Sequence, residues 1–152
     1  MKIDKVDKSI LAILQNAGRE SASNIAEQLN ISVPTVTERL RKLQENNVVL
    51  GFQAVLHPPA IGLDVAAIIT IISGSSQYYK DVTIAVEEEP EIVQCYSTTG
   101  TGSHTLLINT KNSTTLEELL RKIQSWPGVV RTETQIILSS YKKGSVLPLK
   151  NT

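Results

Sequence analysis

The sequence is poor in aromatic residues and in cysteine. Aromatic side chains make up 4% of the 152 residues, so any core has to be built mainly from aliphatic side chains. Cys95 is the only cysteine, which excludes an intrachain disulfide and is typical of reducing compartments. The longest apolar stretch, residues 65–72, is strand-sized and far shorter than the roughly 20 residues of a membrane span. Since residues 1–4 also lack the apolar stretch of a signal peptide, we predict a globular cytoplasmic protein.

An excess of charge of one sign is also absent, because 15 basic residues balance 15 acidic residues. Residues 1–57 hold seven Lys/Arg and six Asp/Glu, and residues 58–152 hold eight and nine. This balance gives no electrostatic indication of nucleic-acid binding. A DNA-binding function would therefore depend on where individual cations point and on several weak sites acting together.

Catalytic and metal-binding patterns are missing as well. His57 and His104 lie far apart in the sequence, and with Cys95 they do not form a metal-ligand cluster. The acidic run at residues 87–91 is interpreted as a solvated helix end, and Cys95 as a packing residue. Residues 100–102 lack the further glycine of a dinucleotide-binding loop. We predict no enzymatic activity, no metal and no cofactor.

Apolar residues at spacings of three and four predict three helices in the first 57 residues. They cover about residues 4–15, 21–29 and 32–46, and the third has Pro34 in its first turn, where a missing N–H does no harm. Residues 48–54 are predicted to form a wing strand. This order of elements is that of a winged helix-turn-helix.

Residues 57–62 contain two prolines and a glycine and break all periodicity, which indicates a stiff linker. We therefore predict two domains, residues 1–57 and residues 58–152. The second shows the order βαββαβ, the ferredoxin-like arrangement of two helices on one face of an antiparallel sheet, so the fold class is α+β. Its strands are predicted at about residues 64–72, 92–96, 104–109 and 129–139, and its helices at about 77–88 and 114–125.

The third predicted helix turns its apolar stripe inward and leaves a polar face outward. Short polar side chains near its start can approach base edges, and its cations can reach phosphates. Glu38 is unfavourable near phosphates unless it lies over the groove, where a carboxylate can accept from cytosine. Any amphipathic helix has a polar face, so the DNA-binding interpretation depends on the three-helix order, the Ser-x-Pro start and the wing. The candidate DNA-binding residues are Ser32, Pro34, Thr35, Thr37, Glu38, Arg39, Arg41 and Lys42.

Over nearly its whole length the chain resembles the Lrp/AsnC (leucine-responsive, feast/famine) family of transcriptional regulators. The similar stretches are residues 3–15, 18–19, 25–26, 31–43, 48–52, 90–93, 100–104, 126–129 and 132–134. The resemblance implies a DNA-binding regulator whose second domain senses small effectors, commonly amino acids. It also implies that these domains pair their sheets into dimers, which assemble further, often to octamers.

The resemblance places the effector near the turn after the second strand, at an interface between dimers. Many members carry Gly-x-x-Asp in this turn, whereas this chain has Ser103 at the position of the aspartate. A carboxylate pairs with an α-ammonium group, and a hydroxyl offers only a neutral hydrogen bond. Three alternatives stay open: an ordinary amino acid, a different effector held by backbone N–H groups, or a turn used only for assembly. By position, the candidate effector-binding residues are Gly100, Thr101, Gly102, Ser103, His104 and Thr134.

We therefore predict a sequence-specific transcriptional regulator whose partners are double-stranded DNA, further copies of itself as a dimer or a tetramer of dimers, and a small effector. A first alternative is an oligomeric metabolite sensor that acts through protein partners without specific DNA recognition. A second alternative is an enzyme of amino-acid metabolism with a ferredoxin-like regulatory domain. The second is poorly supported, because residues 1–57 are too few for a catalytic domain and lack catalytic groupings.

Overall fold

The computed structural model describes residues 1–142, 144 and 146–149. The chain forms two compact units: residues 1–55 together with the described residues of the C-terminal segment (142, 144 and 146–149), and residues 56–141. Sequence analysis assigned all of residues 58–152 to the second domain. In the structure the C-terminal segment belongs to the first unit, because Leu147 and Leu149 line an apolar groove there.

Three helices form the first unit: α1 (Lys5–Asn16), α2 (Ala22–Leu29) and α3 (Val33–Glu45). Each begins after a residue whose side-chain oxygen accepts a hydrogen bond from a backbone N–H of the first turn. These N-cap residues are Asp4, Ser21 and Ser32. Such caps satisfy donors that have no partner within the helix, so they define where the chain becomes helical.

The core of this unit is aliphatic, as the scarcity of aromatic residues predicts. Ile10, Ile25, Val36 and Leu43 have no exposed surface and bring the three helices together. Val33, which belongs to the same apolar spacing, lies in the first turn of α3 and is 41% exposed. The buried residues of α3 hold its polar face outward.

Residues 48–54, predicted as a wing strand, lie outside any strand. Asn47 adopts a left-handed conformation (φ 55°), and the N–H groups of Val48 and Val49 both donate to the Leu43 carbonyl. Among the described residues no neighbouring strand pairs with this segment, so no ladder of hydrogen bonds forms. Leu50 and Phe52 remain exposed.

The second unit is a four-stranded antiparallel sheet with the order β2-β3-β1-β4. Two helices accompany it, and the βαββαβ order is the one predicted. Its elements are β1 (Val65–Ser73), α4 (Tyr79–Glu87), β2 (Ile92–Ser97), β3 (His104–Thr110), α5 (Ser113–Gln124) and β4 (Val129–Ile136). Among the described residues no helix is long and apolar enough to cross a membrane.

The sheet has one face that packs against the helices and one that does not. Ile69 and Ile71 of β1 and Leu106 of β3 are fully buried in a cluster with Leu119 and other residues of the helices. Because side chains alternate along a strand, the residues between them lie on the opposite side. We call this second side the open face, and its central members are Ala66, Ile68, Thr70, Ile72, Thr105 and Leu107.

Candidate nucleic-acid interface and effector turn

The start of α3 exposes short polar side chains whose hydroxyl groups are already tied to the helix. Ser32 Oγ accepts from the Thr35 N–H at 3.3 Å and lies 2.7 Å from Thr35 Oγ1. Thr37 Oγ1 donates to the Val33 carbonyl at 3.1 Å. A hydroxyl oxygen retains acceptor capacity after one bond. These residues, together with Pro34, therefore present a compact surface of small polar side chains.

The cations farther along α3 are held by carboxylates of the same helix. Arg41 makes a bidentate pair with Glu38, with Nε–Oε2 at 2.9 Å and Nη2–Oε1 at 2.8 Å, and it also pairs with Glu45. Lys42 Nζ lies 3.4 Å from Glu38 Oε1. The hydrogen bonds from Arg41 lower the pKa of Glu38 to about 2, so this carboxylate is ionised at neutral pH. The predicted phosphate-contacting cations are thus already neutralised.

Arg39, a third predicted phosphate contact, instead connects α3 to the start of α1. Its Nη1 lies 2.7 Å from Asp4 Oδ2 and 2.8 Å from Asp7 Oδ1. The two aspartates also cap α1 reciprocally, each accepting from the backbone N–H of the other. Asp7 is only 2% exposed, so Arg39 balances an interior charge. The geometry makes Arg39 a residue that positions α3.

Lys2 was not singled out by sequence reasoning, because it precedes the periodic pattern of α1. It lines an open groove of about 540 Å³ together with Thr35, Glu38 and Lys42. Lys2 makes no ion pair with any residue that the structure describes. It is therefore an unneutralised cation beside the start of α3. No signal in the sequence could have identified it, because Lys2 and α3 are far apart in the chain and only the fold brings them together.

The predicted effector turn crosses close to β1. Gly100 has φ 99°, a conformation that glycine adopts without strain. At Gly102, a Cβ atom would lie 2.2 Å from Thr70 Cγ2 and 3.2 Å from the Ile71 carbonyl oxygen, so only glycine fits without movement. The Ser103 N–H donates to the Ile71 carbonyl at 2.8 Å, which fastens the turn to the strand.

Two of the predicted effector-binding side chains lie in the interior. Ser103 is 7% exposed, and its Oγ lies 2.8 Å from both Ser73 Oγ and His104 Nδ1. His104 is 2% exposed and packs against the Tyr79 ring in a T-shaped arrangement with 4.9 Å between the ring centroids. Burial lowers the pKa of His104, which keeps the imidazole neutral. Of residues 100–104, only Gly100 and Thr101 are exposed.

Thr134, the remaining predicted effector residue, lies on β4 and is exposed. It pairs with Ile69 of β1, whereas His104 pairs with Ile71, so the two are separated by two positions along β1. Strand β1 therefore lies between Thr134 and the Ser103–His104 pair.

The two units match two known families. Residues 3–49 match the family described as winged helix-turn-helix DNA-binding, and residues 65–147 match the Lrp/AsnC ligand binding domain. The chain is 37% identical over 148 residues to the HTH-type transcriptional regulator FL11 of Pyrococcus horikoshii, covering 97% of both chains. E. coli AsnC superposes with a TM-score of 0.90 at 28% identity, covering 97% of this chain and 100% of that one.

A further solved structure is the feast or famine regulatory protein of M. tuberculosis complexed with L-methionine. It superposes with a TM-score of 0.89 at 30% identity, covering 97% of this chain and 100% of that chain. The matched families span both units, and the relatives are similar along the whole chain. The chain therefore belongs to the Lrp/AsnC family of DNA-binding transcriptional regulators.

Proposed function

We propose that this regulator reads DNA by laying the start of α3 in the major groove. The observation that carries the proposal is the exposed, compact surface of Ser32, Thr35 and Thr37, because small hydroxyl side chains can reach base edges. Arg41 and Lys42 lie on the same helix, where they can contact phosphates once they leave their carboxylate partners. Arg39, by contrast, positions the helix.

A single DNA-binding domain whose cations are neutralised binds DNA weakly, so several copies of the domain have to engage one DNA molecule. Linking sites makes later contacts intramolecular and raises affinity by about 10²–10⁴ when the geometry allows. The open face supports such assembly, because it carries the apolar side chains of Ile68, Ile72 and Leu107. We propose that a second copy covers this face in a dimer, and that dimers assemble further as a tetramer of dimers.

The test of the DNA-reading helix is a mobility-shift titration at several salt concentrations. The double variant Arg41→Ala/Lys42→Ala should weaken binding to all sequences and reduce the slope of log K against log salt by about 0.9 for each lost phosphate contact. The matched control, Lys80→Ala/Lys111→Ala, removes two exposed cations from the second unit. Equal affinity and slope for the wild-type chain and the Arg41/Lys42 variant would show that this helix face does not touch DNA.

We propose that the effector is an amino acid bound at the turn of residues 100–104 in the assembled protein. The M. tuberculosis relative was solved with L-methionine, which supports this class of ligand. Ser103 Oγ points to Ser73 and His104, so the exposed backbone of Gly100 and Thr101 is the available surface. This arrangement favours recognition of the ligand by backbone groups.

Calorimetric titration with each L-amino acid tests the effector site. Thr101→Arg should abolish the heat of binding, because a long cationic side chain would occupy the exposed turn. Thr114→Arg, at an exposed position of α5, is the control and should bind as the wild-type chain does. Binding that survives Thr101→Arg would place the effector elsewhere, and no binding by any chain would favour a different effector or a turn used only for assembly.

We also propose that the protein acts in the cytoplasm and without catalysis, since the role of its family is transcriptional regulation. The alternative of a metabolite sensor that works through protein partners makes a different prediction. Such a protein would retain effector binding but would shift no DNA fragment from a library of its own genome.

A further inference from the structure

Glu38 pairs with both Arg41 and Lys42 on the outer face of α3. Glu38 holds Arg41 through two hydrogen bonds and Lys42 through an ion pair at 3.4 Å. All three side chains are about half exposed, so DNA phosphates can compete for the cations. Glu45 is a second partner of Arg41 only, and it lies seven residues farther along the helix than Glu38.

We propose that Glu38 is a specificity-determining residue that keeps Arg41 and Lys42 from phosphates until a base edge supplies hydrogen-bond donors to its carboxylate. The inference rests on the proposed role of α3 as the reading helix. In this role Glu38 suppresses binding to incorrect DNA sequences, which its residue type alone does not reveal.

The mechanism follows from the cost of separating the pairs. On DNA without a suitable donor, transfer of both Arg41 and Lys42 to phosphates leaves the Glu38 carboxylate without a partner and close to a polyanion. On a site that places an amino group such as cytosine N4 beside Glu38, the carboxylate gains a new partner. The cations are then released for phosphate contacts. A single residue thus penalises non-specific complexes more than specific ones.

The experiment compares two duplexes of equal length, one selected from a random pool by the wild-type full-length chain and one with the same bases scrambled. Glu38→Gln removes the charge and keeps the size of the side chain. Its affinity for the scrambled duplex should rise about threefold to fivefold, the range expected for release of two exposed ion pairs. The affinity for the selected duplex should rise less or fall, so the specificity ratio decreases.

Two controls separate this mechanism from simple charge repulsion. Glu27→Gln removes one exposed carboxylate from α2 that makes no described ion pair, and it should leave the specificity ratio unchanged. Glu38→Gln on the Arg41→Ala/Lys42→Ala background should give no gain for the scrambled duplex, because no cation remains to be released. A gain that persists on that background would overturn the proposal.

The outcomes also distinguish failure of this inference from failure of the reading helix. If Arg41→Ala/Lys42→Ala weakens binding but Glu38→Gln behaves like Glu27→Gln, the role of Glu38 is refuted and the helix assignment stands. If the Arg41/Lys42 variant binds both duplexes as the wild-type chain does, the helix assignment is refuted, and the role of Glu38 is refuted with it.

Discussion

At the scale of single residues, Arg39 shows how geometry decides the role of a charge. Its residue type and its place on α3 suit a phosphate contact, but its Nη1 donates to carboxylates of both Asp4 and Asp7 within the protein. The N–H of Asp7 and then the guanidinium of Arg39 lower the pKa of Asp4. The hydrogen bonds from Asp4 and then Asp7 raise the pKa of Arg39.

We expect Arg39→Ala to lower the melting temperature of the N-terminal unit by roughly 5 °C, because it leaves the interior carboxylate of Asp7 without its cation. Arg39→Lys should restore part of the loss. Since the folded chain lowers the pKa of Asp4, the stabilisation is present above the ordinary value of 3.8 and is lost as the pH falls through the lowered pKa.

Thermal unfolding followed by circular dichroism between pH 7 and pH 2 provides the measurement. The difference in melting temperature between the wild-type chain and Arg39→Ala should shrink toward the acid end of this range. A constant difference between the two chains at all pH values would contradict the assigned role of the carboxylates. So would an Arg39→Ala chain as stable as the wild type at neutral pH, in which case Arg39 would be available for DNA.

At the scale of elements, the effector turn depends on a close approach to β1. Gly102 lies where a Cβ atom would overlap Thr70 Cγ2, and the adjacent Ser103 N–H donates to the Ile71 carbonyl. Thr70 itself belongs to the open face. The side chain of Thr70 therefore packs against the turn and also forms part of the surface proposed for dimerisation.

We expect Gly102→Ala to destabilise the second unit and to weaken effector binding, because the new methyl group pushes the turn away from β1. Thr70→Ser removes the methyl group that Gly102→Ala would meet, so the double variant should recover most of the stability. Melting temperatures of the two single variants and the double variant form the test. Equal losses for Gly102→Ala with and without Thr70→Ser would show that the overlap is not the cause.

At the scale of the whole molecule, the proposed dimer through the open face is what combines several weak DNA-binding units on one DNA molecule. Leu107 lies near its centre, next to Ile68 of the neighbouring strand. We expect Leu107→Glu to dissociate the protein into monomers in sedimentation experiments, because a buried, unpaired carboxylate disfavours an apolar interface. DNA affinity should fall by at least about 10²-fold as avidity is lost.

The control for this experiment is Thr83→Glu, which places the same charge at an exposed position of α4. It should leave the sedimentation coefficient unchanged. A Leu107→Glu chain that still sediments as an oligomer would exclude the open face as the interface. Retained affinity in a monomeric chain would instead show that one reader is sufficient.

Local signals explain why most elements could be predicted. The caps at Ser21 and Ser32 and the apolar spacing of α3 specify helices through bonds within a few residues. The sequence of the second unit likewise shows strand and helix patterns in turn. The structure confirms the predicted βαββαβ order. The prediction of a wing strand was wrong. Residues 48–54 match the sequence pattern of a strand, but they pair with no strand among the described residues.

The helical order of the first unit, the βαββαβ order of the second and the family can all be predicted from the sequence, since these depend on short-range periodicity and on spaced motifs. The use of individual side chains, in contrast, depends on the folded arrangement of the chain. The tertiary structure turned Ser103 and His104 inward, assigned Arg39 to Asp4 and Asp7, and returned the C-terminal segment to the first unit. These outcomes depend on partners that lie far away in sequence, and local patterns carry no information about such partners.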